Sequence, residues 1–165
     1  MEQERIFLSM GSNMGDKKAH LQQGLAALTS EIPLQIIQKA SLYETPPFGY
    51  TEQDVFLNTV VEITTTVEPA PLLTAIHRAD AACGRERLLH WGPRTLDIDI
   101  LLYGQRLLTG DFLTLPHPGI PQRHFVLLPW AEIAPEVMVG DWGTVSDLLA
   151  ALPPTNDIRK IAVSW

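Results

Sequence analysis

Apolar and polar positions along the chain follow two periods, and the switches between them mark the elements. "RIFLSM" (Arg5–Met10) is a strand candidate, and "GSNMG" (Gly11–Gly15) reads as the turn after it. Asp16 can cap a helix whose Leu21, Leu25 and Leu28 recur at the helical spacing, and Pro33 closes that region. Leu34–Glu44 is rich in strand formers, Thr45–Asp54 is a loop by its Pro, Gly and polar content, and Val55–Val67 is a β-branched strand. Pro69 and Pro71 suit the start of a second helix with Leu72, Leu73, Ile76, Ala79 and Cys83 on its apolar face, ended by Gly84. Leu96–Tyr103 is the most apolar strand. Past Gly104 the pattern loosens: Phe125–Ala134 is a short buried helix bent or broken at Pro129, Val145–Leu152 is a helix, and "IRKIAVS" is a last strand.

From Arg5 to Tyr103 the order is therefore β-α-β-β-α-β. This is the α+β, ferredoxin-like arrangement, an antiparallel sheet with helices on one face and with the C-terminal helices and strand added to that core. No repeat or linker interrupts it, and 165 residues suit a single domain, residues 1–165.

Composition narrows the function classes. A hydrophobic fraction of 45% with 19% charged residues describes a folded chain. The net charge of −7 argues against a general nucleic-acid binder, whose footprint is basic. The single Cys83 cannot form an internal disulfide and reads as a packed small side chain in a reducing compartment. The opening "MEQERIFLSM" does not read as a signal peptide, and no apolar run approaches a membrane span, so the expected location is the cytoplasm.

One feature resists this bland picture. Asp97 and Asp99 sit inside the apolar strand, and residues two apart on a strand share a face, with Cα atoms about 6–7 Å apart. Taken alone they fit a solvated edge, or carboxylates satisfied by backbone N–H groups, as well as they fit a site. At an effective dielectric of about 20 two such charges repel by roughly 3 kcal/mol, which calls for a compensating cation. Arg85, Arg87 and Arg94 lie just upstream with only Glu86 among them, a segment of +2 (three arginines less one glutamate) in a chain of −7. Arginines hold carboxylates ionised, which disfavours a proton-sharing acid dyad. Carboxylates that bind a hard divalent cation, beside guanidinium forks that match phosphate oxygens, are the wiring of a metal–phosphate site. "GSNMGDKK" lacks the P-loop spacing, so phosphate handling falls to side chains and metal.

The residues also resemble a known family. "HWGPRTLDIDILLYG" (His90–Gly104) is similar to the signature strand of the 6-hydroxymethyl-7,8-dihydropterin pyrophosphokinases of folate biosynthesis. "IFLSMGSNMGD", "YETPPFGYTEQDVFLNTVV" and "LTLPHPGIPQRHFVLLPWAEIAP" resemble three further blocks in the family's order, so the likeness runs from Ile6 to about Pro135. The resemblance implies a ferredoxin-like transferase that moves pyrophosphate from ATP to the hydroxymethyl group of a dihydropterin, releasing AMP. Asp97 and Asp99 would bind two Mg²⁺ ions, and Arg85 and Arg94 would neutralise charge at the attacked β-phosphorus. His77, Asp80, Arg87, His90, Trp91, Arg94, Ile100, Thr114, His117 and Arg123 would serve ATP. Thr45, Pro46, Phe48, Phe56, Asn58, Trp91, Asp97 and Phe125 would serve the pterin, with Phe56 and Phe125 as its stacking faces. The partners implied are those two small molecules, with no nucleic acid, no membrane and a monomeric chain. Two loops, Thr45–Asp54 and Gly84–Pro93, would close over the substrates.

The chain departs from the family's pattern at His90, often Arg; at Asp80, often Glu; at Phe112, where a well-known member has Arg; and in a Gly84–Trp91 loop one residue shorter than in that member. These bear on ATP affinity rather than on the chemistry. A metal-dependent phosphohydrolase and a non-catalytic ferredoxin-like binding module are the competing classes.

Overall fold

The computed structural model describes residues 4–46, 55–83, 96–155 and 157–165. The elements run β1 (Ile6–Ser12), α1 (Lys17–Glu31), β2 (Leu34–Lys39), β3 (Leu42–Thr45), β4 (Phe56–Thr65), α2 (Pro69–Ala82), β5 (Asp97–Tyr103), α3 (His124–Ile133), α4 (Val145–Ala151) and β6 (Arg159–Ala162). The strands form one antiparallel sheet in the order β5-β1-β4-β3-β6, with β2 also lying along β4. This is the ferredoxin-like order expected, with one refinement. The segment Leu34–Glu44 is two strands rather than one. β2 pairs with the far half of β4 and β3 with its near half. At the break, Ala40 donates to the Val60 carbonyl (2.9 Å) and accepts from the Thr59 hydroxyl and the Trp165 indole.

Local chemistry explains the ends of the elements. The Asp16 carboxylate caps α1 by accepting from the Ala19 N–H at 3.1 Å. Thr144 and Asp147 form a capping box that starts α4. Gly24 of α1 faces Leu96, and a Cβ there would stand 2.5 Å from a Leu96 methyl, so the helix lies close against the start of β5. β1 runs two residues further than the expected turn, because Gly11 and Ser12 are still in register with β4.

Alternation along the strands builds two cores. Ile6, Leu8, Met10, Val61, Ile63, Ile98 and Ile100 face α1 and α2. Phe7, Val60, Leu101 and Leu102 face the other way, against Val126, Leu127 and Trp130 of α3 and Val145 and Leu148 of α4. The sheet thus has helices on both faces, with α1 and α2 on one and the added C-terminal helices α3 and α4 packed as a layer on the other. Adjacent Leu101 and Leu102 share a face because β5 bulges there: Phe7 opposes Leu102 while Leu8 opposes Ile100. Trp130 is fully buried, with its ring 5.2 Å from that of Phe7, and its indole nitrogen finds no hydrogen-bond partner among the described residues. α3 runs on as helix through Pro129, so of the expected bend or break the break does not occur. Burial of Val126, Leu127, Pro129 and Trp130 outweighs the one helical bond that proline cannot make.

A polar clasp fixes α3 on β3. Glu132 accepts from the Tyr43 hydroxyl and from both the backbone N–H and the hydroxyl of Ser41, with Lys160 at 3.9 Å. Burial pushes the Glu132 carboxyl up, but these donors and the Lys160 charge outweigh it and hold the group below its ordinary value of 4.5. The folded protein therefore binds fewer protons here than the unfolded chain. The stabilisation is complete above the unfolded value and is lost as pH falls through the folded one. Glu132→Gln is expected to cost about 1–3 kcal/mol in urea unfolding near neutral pH, and clearly less near about pH 3.5. A difference from wild type that does not change with pH would contradict this account.

Candidate active site

The sheet face beneath α3 carries the candidate residues, and strand register orders them. Gly11 of β1 is paired on one side with Asp97 of β5 and on the other with Asn58 of β4. Directly paired residues point to one face. Asp97, Gly11, Asn58 and Tyr43 thus form one rung across the sheet, and Asp99, Ser9 and Val60 form the next. Both aspartates are half-buried, between the core residues Leu96, Ile98 and Ile100. The expectation that they share a face holds.

At the other end of the rung, buried Asn58 donates through Nδ2 to Thr45 Oγ1 at 2.7 Å. Phe56 and Thr45 form the adjacent pair, so Phe56, Asn58 and Thr45 share the face, with Phe56 half-buried. Pro46, next along the chain, is exposed.

The nucleotide-side candidates enter from the segment before α3. His117 is strapped to the sheet by its backbone N–H, which donates to the carbonyl of the bulged Leu101 at 2.9 Å. Its Nδ1 accepts from the Gly119 N–H at 3.0 Å, leaving the neutral ring's proton on Nε2. Burial is the largest influence on the imidazole and pulls it below the usual histidine range. Asp99 and Asp97 pull the other way and Arg123 adds to the lowering, so His117 neighbours all three charges. Arg123 lies across Gly119, where a Cβ would stand 2.6 Å from its Nε, and its guanidinium covers the Phe125 ring at 5.7 Å. Asp97, Asp99, His117, Arg123 and Phe125 are thereby linked on one side of the molecule.

Other expected residues lie elsewhere. The Ile100 side chain is buried in the α1–α2 core, 2% exposed, so it could meet a nucleotide only through its backbone. His77 is exposed on α2, and Asp80 is buried near that helix's C-terminal end, both in the layer on the opposite face of the sheet from the aspartates. Thr114 is half-buried, its hydroxyl 3.4 Å from the Gly110 carbonyl, and the nearby Phe112 ring is 92% exposed. Phe48, Arg85, Arg87, His90, Trp91 and Arg94, with most of both expected closing loops, lie outside the described residues. Sequence reasoning missed Gly11, which it placed in a turn, and the clasp through Glu132.

Residues 7–135 match the model of the 7,8-dihydro-6-hydroxymethylpterin-pyrophosphokinase (HPPK) family. The chain belongs to the HPPK family. It is 42% identical over 152 residues to the 2-amino-4-hydroxy-6-hydroxymethyldihydropteridine pyrophosphokinase of Methylorubrum extorquens, covering 92% of this chain and 96% of that one. It is 40% identical over 131 residues to the enzyme of the same name from Bacillus subtilis, covering 79% and 78%. Among solved structures, the wild-type HPPK-DHPS of Plasmodium falciparum with pteroate superposes with a TM-score of 0.71 at 16% identity, over 90% of this chain and 42% of that one. The HPPK-family chain thus spans less than half of that longer protein, and the likeness there is one of fold. The family match ends before α4 and β6, while the register that joins Asp97, Gly11 and Asn58 lies wholly inside it.

Proposed function

We propose that this chain transfers pyrophosphate from ATP to the hydroxymethyl group of 6-hydroxymethyl-7,8-dihydropterin, releasing AMP, as the pyrophosphokinase step of folate biosynthesis. Beside the family match, the observation that carries the reading is the rung Asp97–Gly11–Asn58. It sets a carboxylate suited to metal and phosphate and an amide–hydroxyl pair suited to a heterocycle edge on one sheet face.

Asp97 and Asp99 would hold two Mg²⁺ ions. The pair supplies hard oxygen donors on one face, and among the described residues no cluster of three or more Asp, Glu, His or Cys side chains forms a closed cage. Mg²⁺ is commonly bound by one or two carboxylates, with water and substrate phosphate oxygens completing its shell. When bound, the ions supply Lewis-acid neutralisation of phosphate charge.

The chain's own residues do the rest. His117 is kept neutral by burial and offers its Nε2 proton to a phosphate oxygen, while Arg123 offers a guanidinium fork. By the family pattern, Arg85 and Arg94 meet the charge that develops as the pterin hydroxyl attacks the β-phosphorus in line and the bond to AMP breaks. Asn58 and Thr45 bind the edge of the pterin, and Phe56 and Phe125 its faces. Most of the rate enhancement then comes from holding hydroxyl and phosphorus in line.

The test is AMP release from ATP and Mg²⁺ with and without 6-hydroxymethyl-7,8-dihydropterin. The expected result is AMP formed in equal amount to pterin diphosphate, and only when pterin is present. Phosphate release without pterin would favour the phosphohydrolase class. No turnover, with ligands still bound, would favour a binding module.

A further inference from the structure

The geometry points to Gly11 as a positioning residue that sets the pterin-side amide, a role no glycine in a turn would have. This inference rests on the function proposed above. Gly11 lies within β1, paired on both sides, and its backbone is not left-handed, so conformational freedom does not explain it. Close approach does. A Cβ at this position would stand 2.7 Å from Asn58 Oδ1 and 3.7 Å from Asn58 Cγ, whereas its nearest backbone atom, the Leu57 carbonyl oxygen, is at an ordinary 3.6 Å. Among the described residues the conflict is therefore with this one amide.

That amide is not free to yield. Asn58 and Thr45 are both buried, and Asn58 Nδ2 donates to Thr45 Oγ1 at 2.7 Å. Turning the amide away from a methyl group at position 11 breaks this bond and re-aims Oδ1. With glycine present, Oδ1 projects over the bare centre of the rung. On either side stand Asp97 and Asn58, about 9–10 Å apart at Cα, or two strand spacings. The missing side chain leaves backbone alone as the floor between the carboxylate and the amide. A planar heterocycle lying on it would present an N–H-bearing edge to Oδ1. Gly11 acts through Asn58 and through the shape of the floor, and touches no reacting atom.

The experiment is Gly11→Ala, alone and in an Asn58→Ala background, on the full chain. Gly11→Ala is expected to raise KM for the pterin at least about tenfold, with kcat within about threefold and the affinity for a nonhydrolysable ATP analogue unchanged. In the Asn58→Ala background, where the conflicting atom is gone, the same change is expected to cost less than about twofold. A glycine needed only for folding would move both substrates alike, and equally in both backgrounds. That outcome, or a wild-type KM in Gly11→Ala, overturns the proposal. If Gly11→Ala fails to fold, recovery of the fold in the double variant supports the clash and failure to recover overturns it. The side-chain amide signal of Asn58 in a nitrogen-15 spectrum gives a substrate-free readout: it shifts in Gly11→Ala, and an unmoved signal overturns the proposal. Absence of pterin-dependent AMP from the wild type, with that signal shifted as expected, would instead count against the proposed function and leave the Gly11–Asn58 geometry standing.

Discussion

Asp97→Ala is expected to give a folded protein that forms AMP about a thousandfold more slowly than the wild type, or worse. The figure corresponds to roughly 4 kcal/mol of lost transition-state stabilisation, within the several kcal/mol that a metal-held phosphoryl oxygen contributes. Asp99→Ala is expected to lose about as much. Because the two carboxylates would act as one unit, the double variant is expected to be little worse than either single one. The fold should survive because both side chains are half-buried and neither belongs to a hydrophobic core. Quantifying AMP under saturating ATP, Mg²⁺ and pterin checks it. Activity within tenfold of wild type in Asp97→Ala would remove the aspartates from the mechanism.

The second large effect is on stability. Trp130→Ala is expected to cost about 3–5 kcal/mol, the usual range for emptying a buried aromatic site. For a chain of this size that corresponds to a fall of about 10 °C in the thermal midpoint. Trp130 is the largest side chain of the second core and stacks at a tilt on Phe7 of β1. Trp130→Phe should be much milder. It keeps a ring in place and removes a buried N–H that has no partner among the described residues. Unfolding in urea checks both, and equal losses from the two substitutions would mean that the indole N–H is satisfied after all. Loss of Trp130 would also reach the candidate site, because the helix it anchors starts at Arg123, with Phe125 in its first turn.

The strand periods made a good part of this legible. Spacing of two placed Asp97 with Asp99 and Phe56 with Asn58, and the register agrees. The same spacing puts Ile98 and Ile100 on the opposite face. Periodicity alone thus argued against a side-chain contact from Ile100, and the family resemblance overrode it. Gly11 was hidden because a residue without a side chain shows no alternation, so the strand appeared to stop two residues early. The second layer was hidden for the opposite reason. Phe125–Ala134 is apolar nearly all round, which says that the helix is buried but not against what. The Leu34–Glu44 break was equally silent, since both halves are good strand formers and only their shared partner β4 divides them.

The bulge at Leu101 carries a consequence for how chain length can vary at this site. Its carbonyl is the acceptor that straps down His117. Deleting Leu101 would restore a regular ladder, with Leu8 opposite Ile100 and Phe7 opposite Leu102 as now, and would leave the facing of Asp97 and Asp99 unchanged. Deleting Ile98 instead would put the two aspartates next to each other and throw one carboxylate into the core. The strand is thus divided by a single surplus residue into a half that tolerates no change of length and a junction that does. A relative shortened at that junction would keep its aspartates and lose the anchor of its histidine.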